Sequence, residues 1–144
     1  MKQMAFSMTR VQLLRGLKTV TRRVGWRDLK KGEILQAVTK APGLKKGETP
    51  ERLMKIEVLD VRVEPLAAIT DEEVAREGFP GKDRDWFLRF FLSQHRLRDS
   101  DPKDLEVTRI EFKRWRTPLL PPGATPRGLG TDEFQRGLFR DTFR

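Results

Sequence analysis

Gly16-Leu17-Lys18-Thr19-Val20-Thr21-Arg22-Arg23 sets one lysine, two threonines and two arginines in six residues behind a glycine. The glycine suits a turn, and the β-branched residues after it suit an extended segment. The charge around this stretch is unusual. Residues 1–31 contain nine Lys and Arg against the single acid Asp28, whereas residues 32–113 carry 15 basic and 17 acidic side chains. The net charge of +9 is therefore concentrated near the start of the chain. A local excess of this kind points to a polyanionic partner more directly than a high isoelectric point does.

Composition bounds the rest. A chain of 144 residues fits one domain around one core. No apolar run reaches the roughly 20 residues a membrane span needs. The start, Met1-Lys2-Gln3-Met4-Ala5-Phe6, has no secretory h-region. The expectation is a cytoplasmic protein without membrane contact. Cysteine is absent and His95 is the one histidine. Thiol nucleophiles, disulfides, thiolate zinc sites and multi-histidine metal sites are set aside, and Ser-His catalysis has little support. No metal and no cofactor is expected. Any catalysis would fall to Lys, Thr, Ser, Asp, Glu or Arg.

Outward from the quoted stretch, residues 3–8 read as a short strand and Thr9 as the cap of a short helix over residues 10–15, stopped by Gly16. Residues 19–24 read as extended. Lys31-Gly32-Glu33 signals a turn before a strand over 34–39. A loop follows over 41–50, punctuated by Pro42, Gly43, Gly47 and Pro50, with Lys45 and Lys46 at its tip. Residues 53–63 form the clearest strand. Its alternation slips at Ile56, Val58 and Leu59, which predicts a bulge near Leu59. Thr70-Asp71-Glu72-Glu73 is a capping box opening a helix that ends at Gly78. A second helix, over 85–96, carries Trp86, Phe87, Phe90, Phe91 and Leu92 on an apolar face. Residues 105–112 alternate as a closing strand.

After Trp115 the texture changes. Prolines and glycines crowd residues 117–130, and 132–144 bring Phe134, Leu138, Phe139 and Phe143 at helical spacing. This divides the chain into a domain over 1–116 and, over 117–144, a linker with a short amphipathic segment. Strands and helices do not alternate regularly, so the class is α+β, a small curved sheet or barrel with helices at one end.

The stretch 16–23 resembles the Gly-x-Lys-Thr-x-Thr-x-Arg signature of ASCH domains, relatives of the PUA RNA-binding fold. Further matches follow in order: Lys31-Gly32-Glu33, Ile56-Glu57-Val58, the helix opened by Ile69-Thr70 and ended by Glu77-Gly78-Phe79, and Val107-Thr108-Arg109-Ile110-Glu111-Phe112. The resemblance covers roughly residues 3–115. It implies a PUA-like β-barrel with flanking helices around a cleft, with the C-terminal extension outside the family pattern. It also implies a role near RNA or a modified nucleoside. One branch of the family hydrolyses the acetyl amide of N4-acetylcytidine with a lysine, a threonine and a glutamate. Those three fall on Lys18, Thr21 and Glu77.

Residue chemistry allows two readings of this set. Amide hydrolysis needs a nucleophile, a base and an acid for the leaving nitrogen. A threonine hydroxyl activated by a neutral lysine is one of the few routes this composition leaves. Arg22, Arg23 and burial would lower the Lys18 pKa, and a nearby Glu77 would raise it. In the other reading Lys18 is a charged phosphate contact and Thr21 a strand residue. Glu77 sits just before a helix-ending glycine, where its charge meets the negative end of the helix dipole; this marks it as a functional candidate unless Arg76 or a distant arginine offsets it. Arg22, Arg23, Trp26 and Arg27 read as a basic patch with an aromatic platform for nucleic acid, extended by Lys45 and Lys46. The rival is a core tryptophan among solvated arginines. His95 reads as a helix-surface or core histidine, and Phe87, Phe90 and Phe91 as core. The functional alternatives are thus an amidohydrolase of N4-acylated cytidines and a non-catalytic PUA-like RNA-binding module, as monomer or homodimer.

Overall fold

A computed structural model describes residues 1–39 and 45–116. Five strands form one mixed sheet: β1 (Gln3–Ala5), β2 (Val20–Arg23), β3 (Ile34–Val38), β4 (Arg52–Pro65) and β5 (Glu106–Arg114). Three helices accompany it: α1 (Arg10–Leu14), α2 (Asp71–Arg76) and α3 (Arg84–Gln94). The spatial order is β1-β3-β4-β5-β2. The β1–β3 pair is parallel and every other pair antiparallel. The α+β class holds. The sheet is open, with β1 and β2 at its edges, so the expected barrel is a curved sheet that does not close.

The local chemistry explains most boundaries. Thr70 Oγ1 accepts a hydrogen bond from the Glu73 amide at 3.2 Å, which caps α2 as the sequence predicts. Asp83 Oδ1 caps α3 through the Trp86 amide at 2.8 Å. Thr9 makes no side-chain cap to α1, because a 3₁₀ turn over Ser7–Thr9 feeds the helix directly. The same turn ends β1 at Ala5, earlier than the apolar run 3–8 implies. The bulge expected near Leu59 is present: pairing of β4 with β5 shifts register between Val58 and Asp60. The extra residue shifts the pairing of the later part of β4, which carries Glu64, relative to β5.

Two apolar clusters result. Met4, Phe6, Leu35, Ile56, Val58, Ile110 and Phe112 pack on the sheet. Leu66, Ile69, Val74, Phe87, Leu88, Phe91 and Leu92 pack between α2, α3 and the start of β5. Each fully buried side chain of this size stabilises the fold by about 1.5–3 kcal/mol. β2 and α2 meet where the clusters meet: the Thr19 amide donates to the Arg76 carbonyl at 2.8 Å and the Phe112 amide to the Thr19 carbonyl at 3.0 Å. The linker and the Phe134, Leu138, Phe139 and Phe143 segment lie outside the described residues.

Candidate active site

The turn after α1 delivers Lys18. Gly16 takes a φ of +75°, and the Leu17 and Lys18 amides donate back to the Gln12 carbonyl. This points the lysine stem inward, beside Gly78 at the end of α2. Gly78 has a φ of +106°, and a Cβ there would sit 2.9 Å from Gln12 Cβ and 3.3 Å from Lys18 Cβ. A glycine is therefore required where α1, Lys18 and the α2 terminus converge.

Glu77 is the residue that caps the end of α2. It is 3% exposed and Lys18 is 5% exposed. Lys18 Nζ donates to Glu77 Oε1 at 2.9 Å and to the Glu77 carbonyl oxygen at 2.8 Å. The other carboxylate oxygen, Oε2, accepts from an Arg22 guanidinium nitrogen at 3.2 Å. The unfavourable dipole position of Glu77 is thus offset by two distant cations. Neighbouring Arg76 instead pairs with Glu111 and Glu73.

Burial is the largest influence on Lys18 and lowers its pKa from the ordinary 10.5. Glu77 opposes this through charge and hydrogen bonding, and Arg23 and Arg22 add to the lowering. The competition that the residue types left open thus resolves as a net lowering, with burial outweighing Glu77. A neutral amine has two N–H bonds, matching the two oxygens of Glu77, and one lone pair left to accept a proton.

A cavity of about 260 Å³ opens beside this pair. Lys18, Thr21, Arg22, Arg23 and Glu77 line it together with Phe79, Phe87, Phe90, Phe91 and His95. Phe6, from the sheet cluster, lines it as well. Thr21 Oγ1 accepts a 3.1 Å hydrogen bond from Arg23 Nε. The Arg23 guanidinium lies 4.8 Å from the centre of the Phe6 ring. Burial lowers its pKa to about 10, which leaves it a cation at neutral pH.

The sequence-predicted nucleic-acid residues separate in space. Arg22 and Arg23 face the cavity, whereas Trp26, Arg27, Lys45 and Lys46 do not line it. Arg22 is turned inward, within 3.5 Å of Glu64 and 3.9 Å of Glu73 as well as bonded to Glu77. It belongs to a buried ion-pair network and not to a solvated patch. Arg109 completes that network, with its Nε donating to Glu73 Oε1 at 3.0 Å. Trp26 is half-buried against the sheet cluster, at a φ of +61°. Arg27 is exposed and pairs with Glu106. Lys45 and Lys46 are exposed.

The sequence reading missed Glu73 and Arg109, whose partners come from three elements and leave no local pattern. It also missed the aromatic wall. Phe87, Phe90, Phe91, Gln94 and His95 share one stripe of α3 at helical spacing, and the stripe lines the cavity as well as packing the core. His95 stacks on Phe91 with ring centres 4.0 Å apart. Among the described residues no three His, Cys, Asp or Glu side chains are grouped to hold a metal ion. None of the helices there is long and apolar enough to cross a membrane.

No family model matches the sequence, and no curated protein matches it significantly. Solved structures do match. The chain is similar to an ASCH domain from Lactobacillus crispatus JV V101, with 18% identity, a TM-score of 0.56 and 78% of each chain covered. It is also similar to a DUF984 protein from Enterococcus faecalis V583, with 17% identity, a TM-score of 0.54, and 80% of this chain and 76% of that one covered. The hypothetical protein PH0355 is 19% identical, with a TM-score of 0.52, and is covered over 100% of its length by 80% of this chain. At these identities the likeness is one of fold: the chain has the ASCH-domain fold.

Proposed function

We propose that the protein is an ASCH-family amidohydrolase that removes the acyl group from N4-acetylcytidine-type substrates. The observation that carries this reading is the buried Lys18–Glu77 pair opening on a cavity that Thr21 also lines. A buried, fully paired lysine at the wall of a cleft, with its pKa lowered, suits a general base better than a phosphate contact. At about 260 Å³ the cavity lies just below the roughly 300 Å³ where drug-sized pockets begin. That volume suits a single nucleobase. The aromatic wall offers the π-faces on which a base stacks.

In this mechanism the Lys18 amine takes the Thr21 hydroxyl proton as Oγ1 bonds to the acyl carbon. The carbonyl electron pair moves onto oxygen. It then returns, the C–N bond breaks, and the exocyclic nitrogen takes the proton from Lys18. Water hydrolyses the threonyl ester, releasing the carboxylic acid and regenerating Thr21. Glu77 orients Lys18 throughout and offsets the ammonium it becomes. The test is incubation with N4-acetylcytidine. Wild type should release cytidine, and Lys18→Ala should be slower by at least about 100-fold, the ordinary contribution of a general base. Equal rates would remove Lys18 from the mechanism.

One observation favours the second reading, a PUA-like RNA-binding module. A second cleft, of about 380 Å³, shares Lys18 with the first and is lined by Arg15, Lys113, Arg114 and Arg116, with no acidic residue. Such a cleft suits a phosphate backbone. RNA binding with no cytidine release would favour this reading over the enzyme.

A further inference from the structure

We propose that Arg23 binds the acyl oxygen of the substrate and holds the negative charge that develops there. This rests on the amidohydrolase reading and adds to it a residue that acts on the reacting group.

Three observations carry the inference. First, Arg23 lines the same cavity as Lys18, Thr21 and Glu77. Second, its side chain is fixed at two points. The guanidinium lies over the Phe6 ring at 4.8 Å, and Nε–H is spent on Thr21 Oγ1 at 3.1 Å. Third, the remaining guanidinium nitrogens have neither a carboxylate within ion-pair distance nor a hydrogen-bond acceptor among the described residues. They also retain contact with open space, since no Arg23 atom is among the buried unpartnered ones. Neighbouring Arg22 lines the cavity too but contrasts in its charge partners: it engages three glutamates. A partly buried cation with no carboxylate in contact, and only the more distant charge of Glu77 to offset it, leaves room for a ligand to supply a closer one. Stacking and the Nε bond preorganise the free N–H groups, as electrostatic stabilisation of an oxyanion requires.

The geometry also couples the two halves of the chemistry. Arg23 donates to the oxygen that attacks, so Thr21 presents its hydroxyl proton elsewhere. The same planar group has further N–H bonds for the oxygen that receives the displaced electron pair. A lysine at this position lacks that fork.

The experiment compares wild type with Arg23→Gln, Arg23→Lys and Arg23→Ala, each checked for an unchanged melting profile. With N4-acetylcytidine, Arg23→Gln should lower kcat about 10²–10³-fold, the effect of losing one oxyanion donor, with a much smaller change in KM. Arg23→Lys should recover little of this. Guanidinium ion at millimolar concentration should raise the rate of Arg23→Ala and leave that of Lys18→Ala unchanged. A role limited to propping the fold would show no such rescue. A kcat for Arg23→Gln within about threefold of wild type overturns the proposal and leaves the amidohydrolase reading intact. If wild type releases no cytidine, that reading fails, and acetate binding measured by calorimetry decides the inference by itself. Acetate bound by wild type and lost in Arg23→Gln upholds Arg23 as the oxygen-binding group. Acetate bound equally by both, or by neither, overturns it.

Discussion

At the scale of single residues, the account depends on the protonation of Lys18. Its pKa is lowered chiefly by burial, so the neutral amine needed for catalysis accumulates below pH 10.5. The rate of cytidine release should therefore rise with pH and level off before the ordinary lysine value; a rate that keeps climbing through 10.5 would contradict the lowered pKa. The sign for stability follows from linkage. Between the folded pKa and 10.5 the unfolded chain holds the proton more tightly, so stability rises with pH across that window. The melting temperature of wild type should gain on that of Lys18→Met as the buffer moves from pH 7 toward 10. Arg22 gives a second prediction. It is buried against Glu64, Glu73 and Glu77. Arg22→Ala strips a charge partner from the network and should destabilise by about 3–5 kcal/mol, read by chemical denaturation. A stable Arg22→Ala protein with only weakened RNA binding would mean that Arg22 is a surface contact after all. The family resemblance put forward Lys18, Thr21 and Glu77, and the structure sets all three around one cavity. The inward turn of Arg22 was not legible in the sequence, because nothing local distinguishes an arginine that meets solvent from one that meets glutamates 42, 51 and 55 positions away.

At the scale of elements, the end of α2 is the part that assembles the site. The cap at Thr70 fixes where the helix starts, and Gly78 fixes where it stops. Glu77 thereby offers both its carboxylate and its carbonyl oxygen to Lys18. Gly78→Ala would force an L residue into a φ of +106° and set its Cβ 2.9 Å from Gln12 Cβ. Backbone strain alone is worth about 1–2 kcal/mol, and the contact adds to it. The expected result is a melting temperature lower by several degrees and a larger loss of activity than Gly81→Ala produces, since nothing lies near Gly81. Equal effects at the two glycines would remove Gly78 from the positioning argument. The capping box, the helix-ending glycine and the bulge after Val58 were all readable, because each rests on neighbours a few residues apart. The early end of β1 was not readable, because the apolar run 3–8 continues into a 3₁₀ turn that buries Phe6 and Thr9 in the same way a strand would.

At the scale of the molecule, the fold brings β2 and the end of α2 together between two apolar clusters and leaves a cavity there. The order of strands could not be read from the chain. The parallel β1–β3 pair and the placement of β2 beside β5 depend on contacts across 33 and more positions. The concentration of positive charge before residue 31 was legible, but its use was not. Part of it is spent internally on Glu77, Glu64 and Glu73, and part lines the cavity as Lys18 and Arg23. The central claim is that this cavity performs acyl transfer through Thr21. Rapid-quench mass spectrometry of the protein mixed with N4-acetylcytidine tests it most directly. The account predicts a transient acetyl group on Thr21 that forms and decays with cytidine release, and neither adduct nor cytidine from Thr21→Ala. Cytidine released by Thr21→Ala at the wild-type rate, or no cytidine released by wild type, would contradict it.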